Sequence, residues 1–124
     1  DALYMVMPVM TKMYKLTGDV QYLDKLYENL LYSDRIMLDQ ETGLYFRDAR
    51  YVYPNHKSVN GKKDFWARGD GWVLAGLAKV LQDLPKDYKH YKFFVDKFQR
   101  LADIVAMTRQ DGWPMTGDFI LVRR

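Results

Sequence analysis

The sequence predicts an all-α fold assembled from helical hairpins, and three observations carry that reading. Apolar residues recur at helical spacing over four long stretches. A tight turn twice joins an apolar helix to an amphipathic one, at "LTGD" and at "LPKD". The amphipathic partners then share a run, "YLDKLYENLL" and "FVDKFQRLAD", with Asp24 and Asp96 in corresponding places. Inner helix, tight turn, outer helix, repeated, is how helical toroids and solenoids are built, because each hairpin buries its inner helix only against further hairpins. With 124 residues the chain has material for one domain, 1–124, and not for two.

The elements follow in order. The first helix, "DALYMVMPVMTKMYKLTG", carries Leu3, Val6, Met7, Met10, Met13 and Tyr14 on one face, while Met5 and Val9 make it apolar on nearly every side, as an inner helix must be. Pro8 lacks a backbone donor and marks either the first turn or a kink. Gly18 ends the helix, and Asp19 is placed to cap the next one. That second helix spans about Val20 to Leu38, with Leu23, Leu26, Tyr27, Leu30 and Met37 as its stripe and Asp24, Lys25, Glu28 and Arg35 on the solvated side. The period then changes. Leu44 and Phe46 alternate with Tyr45 and Arg47, and Tyr51 and Tyr53 repeat the alternation, which predicts a short β-hairpin or an extended excursion with Asp48-Ala49 near its turn. "NHKSVNGKKD" reads as a loop. A third helix is expected to start between Gly69 and Trp72, with Asp70 as its cap, and to stop at Leu84-Pro85. A fourth runs from about Asp87 to Arg109 on a long stripe that includes Tyr91, Phe94, Phe98, Leu101 and Val105. The tail, 111–124, reads either as a strand or as an unpaired end.

Composition narrows the function classes. Apolar residues make up 48% of the chain and aromatics 15%, with ten Tyr, six Phe and three Trp, enough for a core and for flat amphipathic surfaces that suit a sugar or a peptide. The net charge of +3 is spread among acids, and no basic run exceeds Lys62-Lys63, so a nucleic-acid footprint is not expected. Without cysteine there are no disulfides or thiolate metal sites, and two histidines do not make a histidine-rich one. No apolar run reaches membrane-spanning length. The chain begins at Asp1 rather than Met, and a fragment is expected.

Two stretches can carry chemistry. Asp1 precedes a strongly apolar helix: as an N-cap it is held ionised, and in an apolar cup it is pushed toward the protonated form and can serve as a general acid. "FWARGDGW", residues 65–72, sets Trp66, Arg68 and Trp72 about two glycines. Arg68 offers a planar fork that fits a carboxylate such as a uronic acid, and the indoles offer flat walls for a sugar ring. The plainer reading is a loop-to-helix junction in which Asp70 caps and Trp72 packs. Phosphate loops, the G-x-S-x-G elbow and zinc histidine pairs are absent from the sequence.

Taken together, "DALYMVMP", "TGDVQYLDKLYE", "ETGLYF" and "FWARGDGWVLAGLAKVLQDLP" resemble the unsaturated rhamnogalacturonyl hydrolases of glycoside hydrolase family 105, relatives of the unsaturated glucuronyl hydrolases of family 88. The likeness covers about residues 1 to 110. It implies an (α/α)6 barrel, of which this chain supplies about two hairpins. It also implies a catalytic aspartate at Asp1, substrate contacts at Trp66, Arg68 and Trp72, and no metal or organic cofactor. The implied partner is an oligosaccharide left by a polysaccharide lyase, ending in a 4,5-unsaturated uronic acid, as in bacterial pectin degradation. The alternative is a non-catalytic toroid or solenoid module that binds carbohydrate or protein through the same aromatics. Arg47 and Asp48 occupy the region, just after "GLYF", where many members of the resembled family have a histidine, and Asp70 stands where many have asparagine. The sequence leaves the compartment open between periplasm and cytoplasm.

Overall fold

The structure is a computed structural model that describes residues 2–107 together with 118 and 119. Four helices carry it: α1 (Ala2–Thr17), α2 (Gln21–Met37), α3 (Ala67–Asp83) and α4 (Tyr91–Met107). Two short strands, β1 (Phe65–Trp66) and β2 (Asp118–Phe119), pair antiparallel with Phe65 opposite Phe119. The all-α class stands.

The first hairpin forms as its residues dictate. α1 runs straight through Pro8, and the Thr11 hydroxyl donates to the Pro8 carbonyl at 3.0 Å. Gly18 closes the helix at φ +72°, its N–H donating to the Tyr14 carbonyl, and the Asp19 carboxylate accepts from the Gln21 N–H at 2.9 Å to open α2. Leu23, Leu26 and Leu30 form the buried stripe of α2. Phe94 and Leu101 do the same for α4, and Val73, Leu77 and Val80 for α3.

α1 and α3 lie side by side and parallel. Tyr4, near the start of α1, meets Trp72 near the start of α3, while Lys12 and Lys15 near the end of α1 pair with Asp83 at the end of α3, at 2.6 and 3.1 Å. Gly76 permits that approach: a Cβ there would sit 3.2 Å from the Tyr4 Cα and 2.8 Å from the Met7 Cε. α2 and α4 are also parallel, joined by Tyr88–Asp24 at one end and Lys97–Asp34 further along. Two parallel inner helices backed by two parallel outer ones are one sector of a helical toroid. The outer face of α1 stays uncovered, with Met5 at 70%, Val9 at 56% and Leu16 at 82% exposure, in keeping with an inner helix made for another neighbour. Among the described residues no helix is long and apolar enough to cross a membrane.

Three expectations change. The hairpin turn is not at Asp48-Ala49. Leu38 bridges Tyr45 across a turn closed by Gly43, and Asp48 instead caps a single 3-10 turn, Ala49–Tyr51, by accepting from the Arg50 N–H. Leu44, Tyr45 and Phe46 are all buried, so the predicted alternation of inward and outward sides is lost; the segment is packed on both faces. The third helix starts at Ala67, directly from β1, and Asp70 lies inside it rather than capping it. The fourth starts at Tyr91, after turns over 86–90. In the tail, 118–119 form a strand, and the remainder of 111–124 lies outside the described residues.

Candidate active site

The inner helices begin at the same end of the molecule, and the 38–64 excursion crosses that end on its way from α2 to α3. Three side chains anchor it there. The Asp70 carboxylate accepts from the Tyr45 N–H at 2.8 Å, and Phe46 stacks on Phe65 with centroids 4.9 Å apart. The Tyr45 hydroxyl donates to Asp34, whose other oxygen pairs with Lys97 at 2.5 Å. With Tyr45 and Phe46 fixed, the next residue, Arg47, is set beside Trp66.

Trp66 occupies the junction between β1 and α3, with φ −103° and ψ 108°. Its indole folds back over the first turn of the helix. A Cβ on Gly69 would lie 2.7 Å from the ring edge, so only glycine leaves room for it. The Arg68 guanidinium stacks on the same indole, 4.6 Å from the centroid, and the Arg47 guanidinium stands 5.8 Å from it. Arg47 also lies 5.1 Å over the Tyr51 ring and donates to the Tyr51 hydroxyl at 3.1 Å. Tyr51 packs against His56, which is paired with Asp64 at 2.8 Å, so the loop wall is braced from behind. One helical turn past Arg68, Trp72 is 37% exposed and tilts against Tyr4 at 4.5 Å. Lys79 donates to the Tyr4 hydroxyl at 2.9 Å.

Of the residues predicted from sequence, Trp66 and Arg68 are brought into direct contact, and Trp72 shares α3 with Arg68 while packing toward α1. Asp1 lies outside the described residues. Two residues carry more than the sequence suggested. Arg47, a departure from the resembled family, is a second cation on the Trp66 ring. Asp70, expected as a cap, is 1% exposed with one carboxylate oxygen unpartnered among the described residues. Burial pushes its carboxyl up to about 7, and the Tyr45 N–H offsets this only in part.

The chain resembles known proteins along most of its length. It is 38% identical over 117 residues to an unsaturated 3S-rhamnoglycuronyl hydrolase of Formosa agariphila, a match that covers 90% of this chain and 31% of the relative. Among solved structures, a glycosyl hydrolase family 88 protein from Bacteroides vulgatus is 54% identical with a TM-score of 0.85, covering 88% of this chain and 31% of that one. A structure described as a polysaccharide lyase is 65% identical with a TM-score of 0.84, covering 87% and 30%. The chain thus spans about a third of the length of the proteins it matches. Residues 1–114 match glycosyl hydrolase family 88, the relative of family 105 to which its motifs pointed, and the chain belongs to that family.

Proposed function

We propose that this chain forms one wall of the substrate cleft in a hydrolase that removes a 4,5-unsaturated uronic acid from a lyase-generated oligosaccharide. The observation that carries the reading is the Arg68 guanidinium stacked on Trp66 at the end of the fold where both inner helices begin. A guanidinium held over an indole is a positioned fork for a carboxylate, beside an apolar wall for the sugar face. Trp72 and Tyr4 extend the aromatic surface toward the start of α1, the helix that Asp1 precedes.

In this reading Asp1 is the acid. It gives its proton to C4 of the enol ether, and positive charge develops at C5 and the ring oxygen. Water adds to C5 as the Asp1 carboxylate takes one of its protons, so the acid is restored. The resulting hemiketal opens and releases the neighbouring sugar. One group acting first as acid and then as base needs a pKa raised toward neutrality. Arg68 holds the uronate carboxylate, and Trp66 and Trp72 hold the rings.

The activity is assigned to a polypeptide of the relatives' length, and the 124-residue chain alone is expected to be inactive. The test follows the ultraviolet absorbance of the conjugated double bond in unsaturated digalacturonide mixed with the complete polypeptide. Absorbance should fall, and Asp1→Asn should stop the fall without stopping binding. A second reading has one support, the polysaccharide-lyase description of the 65% identical structure. A lyase makes that double bond, so a rise of absorbance with uncut polysaccharide would replace the proposal. No change with either substrate would leave a binding module.

A further inference from the structure

The Trp66 indole carries more cation than one uronate needs. Arg68 lies 4.6 Å from its centroid and Arg47 5.8 Å, the first from the opening turn of α3 and the second from the segment after Phe46. Neither guanidinium is in an ion pair among the described residues. The acid next to Arg47, Asp48, is committed to its own neighbour: both its oxygens accept from Arg50, at 3.3 and 3.2 Å. The Tyr51 hydroxyl takes one N–H of Arg47 at 3.1 Å and leaves the remaining donors of the fork open. Asp48 lies close enough to Arg47 to feel its charge but gives it no hydrogen bond, so the fork keeps donors for an anion brought to the ring.

We propose that Arg47 is a specificity-determining residue that engages a second anionic group, on the sugar next to the unsaturated uronate, while Arg68 engages the uronate carboxylate. The inference rests on the function proposed above. The two cations flank one indole, which places the second anion within one residue of the first along an oligosaccharide stacked on that ring. A sulfate ester and a second carboxylate share the needed chemistry, since each is an anion with at least two oxygens that can accept from a guanidinium fork. A neutral neighbouring sugar offers Arg47 nothing of comparable strength.

The test uses the complete polypeptide and three unsaturated disaccharides that differ only in the second sugar: neutral, sulfated and carboxylated. Arg47→Gln should raise KM about tenfold or more for the charged sugar that Arg47 reads, as expected for a lost charge-assisted hydrogen bond. KM for the neutral sugar should rise far less than KM for the charged one. Arg47→Lys should recover part of the loss, because it restores the charge without the fork. The sulfated and carboxylated arms tell which anion is read. Equal loss on all three substrates, or none on any, overturns the proposal. If the wild type turns over none of them, the hydrolase reading fails by itself. Tryptophan fluorescence titrations of the same three compounds then decide the clamp: Arg47→Gln must weaken an anionic ligand selectively, and unselective weakening or no weakening overturns it.

Discussion

Replacing Asp70 by Asn tests how the site end is held together, because its effect should depend on pH with a defined sign. The unfolded carboxyl ionises near its ordinary value of 3.8, while in the fold burial keeps the proton on until about 7. Between those values the folded state binds the extra proton, so stability falls as pH rises and the loss is complete above the folded pKa. A difference of about three pKa units corresponds to about 4 kcal/mol. That is a large share of the roughly 5–15 kcal/mol that holds a typical domain. Asparagine keeps an oxygen for the Tyr45 N–H, now 2.8 Å from Asp70, and puts an amide where Oδ2 stands buried without a partner. The amide loses about 1–2 kcal/mol if it finds no acceptor, as does the protonated acid it replaces. At about pH 4, then, Asp70→Asn should match the wild type within about 1 kcal/mol, and at about pH 8 it should be more stable by about 2–4 kcal/mol. Urea unfolding followed by tryptophan fluorescence at both pH values, with unchanged m, reads this directly. An equal effect at the two pH values would refute the reasoning, and so would a loss of stability at the higher one.

Three further outcomes follow from the same contacts. Asp34→Ala strips the anion from Lys97, which is only 12% exposed, and the acceptor from Tyr45; it should cost about 3–5 kcal/mol in chemical denaturation. Adding Lys97→Met should return most of that, since no buried charge then remains. Gly69→Ala drives a methyl into the Trp66 ring, so the indole must leave its place; a shifted tryptophan emission and a raised KM at near-normal Tm are expected. Arg68→Ala, in the complete polypeptide, should raise KM for uronate substrates while Tm changes by less than about 2 °C, because the side chain is exposed and lies over Trp66 rather than in the core.

The helices were readable because each declares its inward side by its own period. Leu23, Leu26 and Leu30 define the inward side of α2 by spacing, and α2 has that side whatever surrounds it. The all-round apolar character of α1 likewise marks it as an inner helix whatever its partner. The 44–46 segment gave a false period for the opposite reason. Its three residues are buried on both sides, Tyr45 reaching Asp34 and Lys97, Phe46 reaching Phe65, so alternation carried no information about which side faces water. Asp70 misled in a similar way. Aspartate near a helix start is a capping residue by local preference, but here its carboxylate answers an N–H 25 residues upstream.

That contact also explains why half of the candidate site was visible in "FWARGDGW" and half was not. Arg68 and Trp72 are carried by α3 and share a face because they are four residues apart, and Trp66 stands at the junction just before it. Arg47 reaches the same indole only because Asp70 holds Tyr45, Phe46 stacks on Phe65, and Tyr51 is braced by His56 and Asp64. None of those links has a spacing that the sequence could announce. Their consequence is a division of labour between the two cations. Arg68 is fixed by the scaffold and should keep its place across variants of the excursion. Arg47 is fixed by a loop whose anchor is a carboxyl poised near neutral pH, so changes in residues 38–64 should alter what is read beside the uronate before they alter how the uronate itself is held.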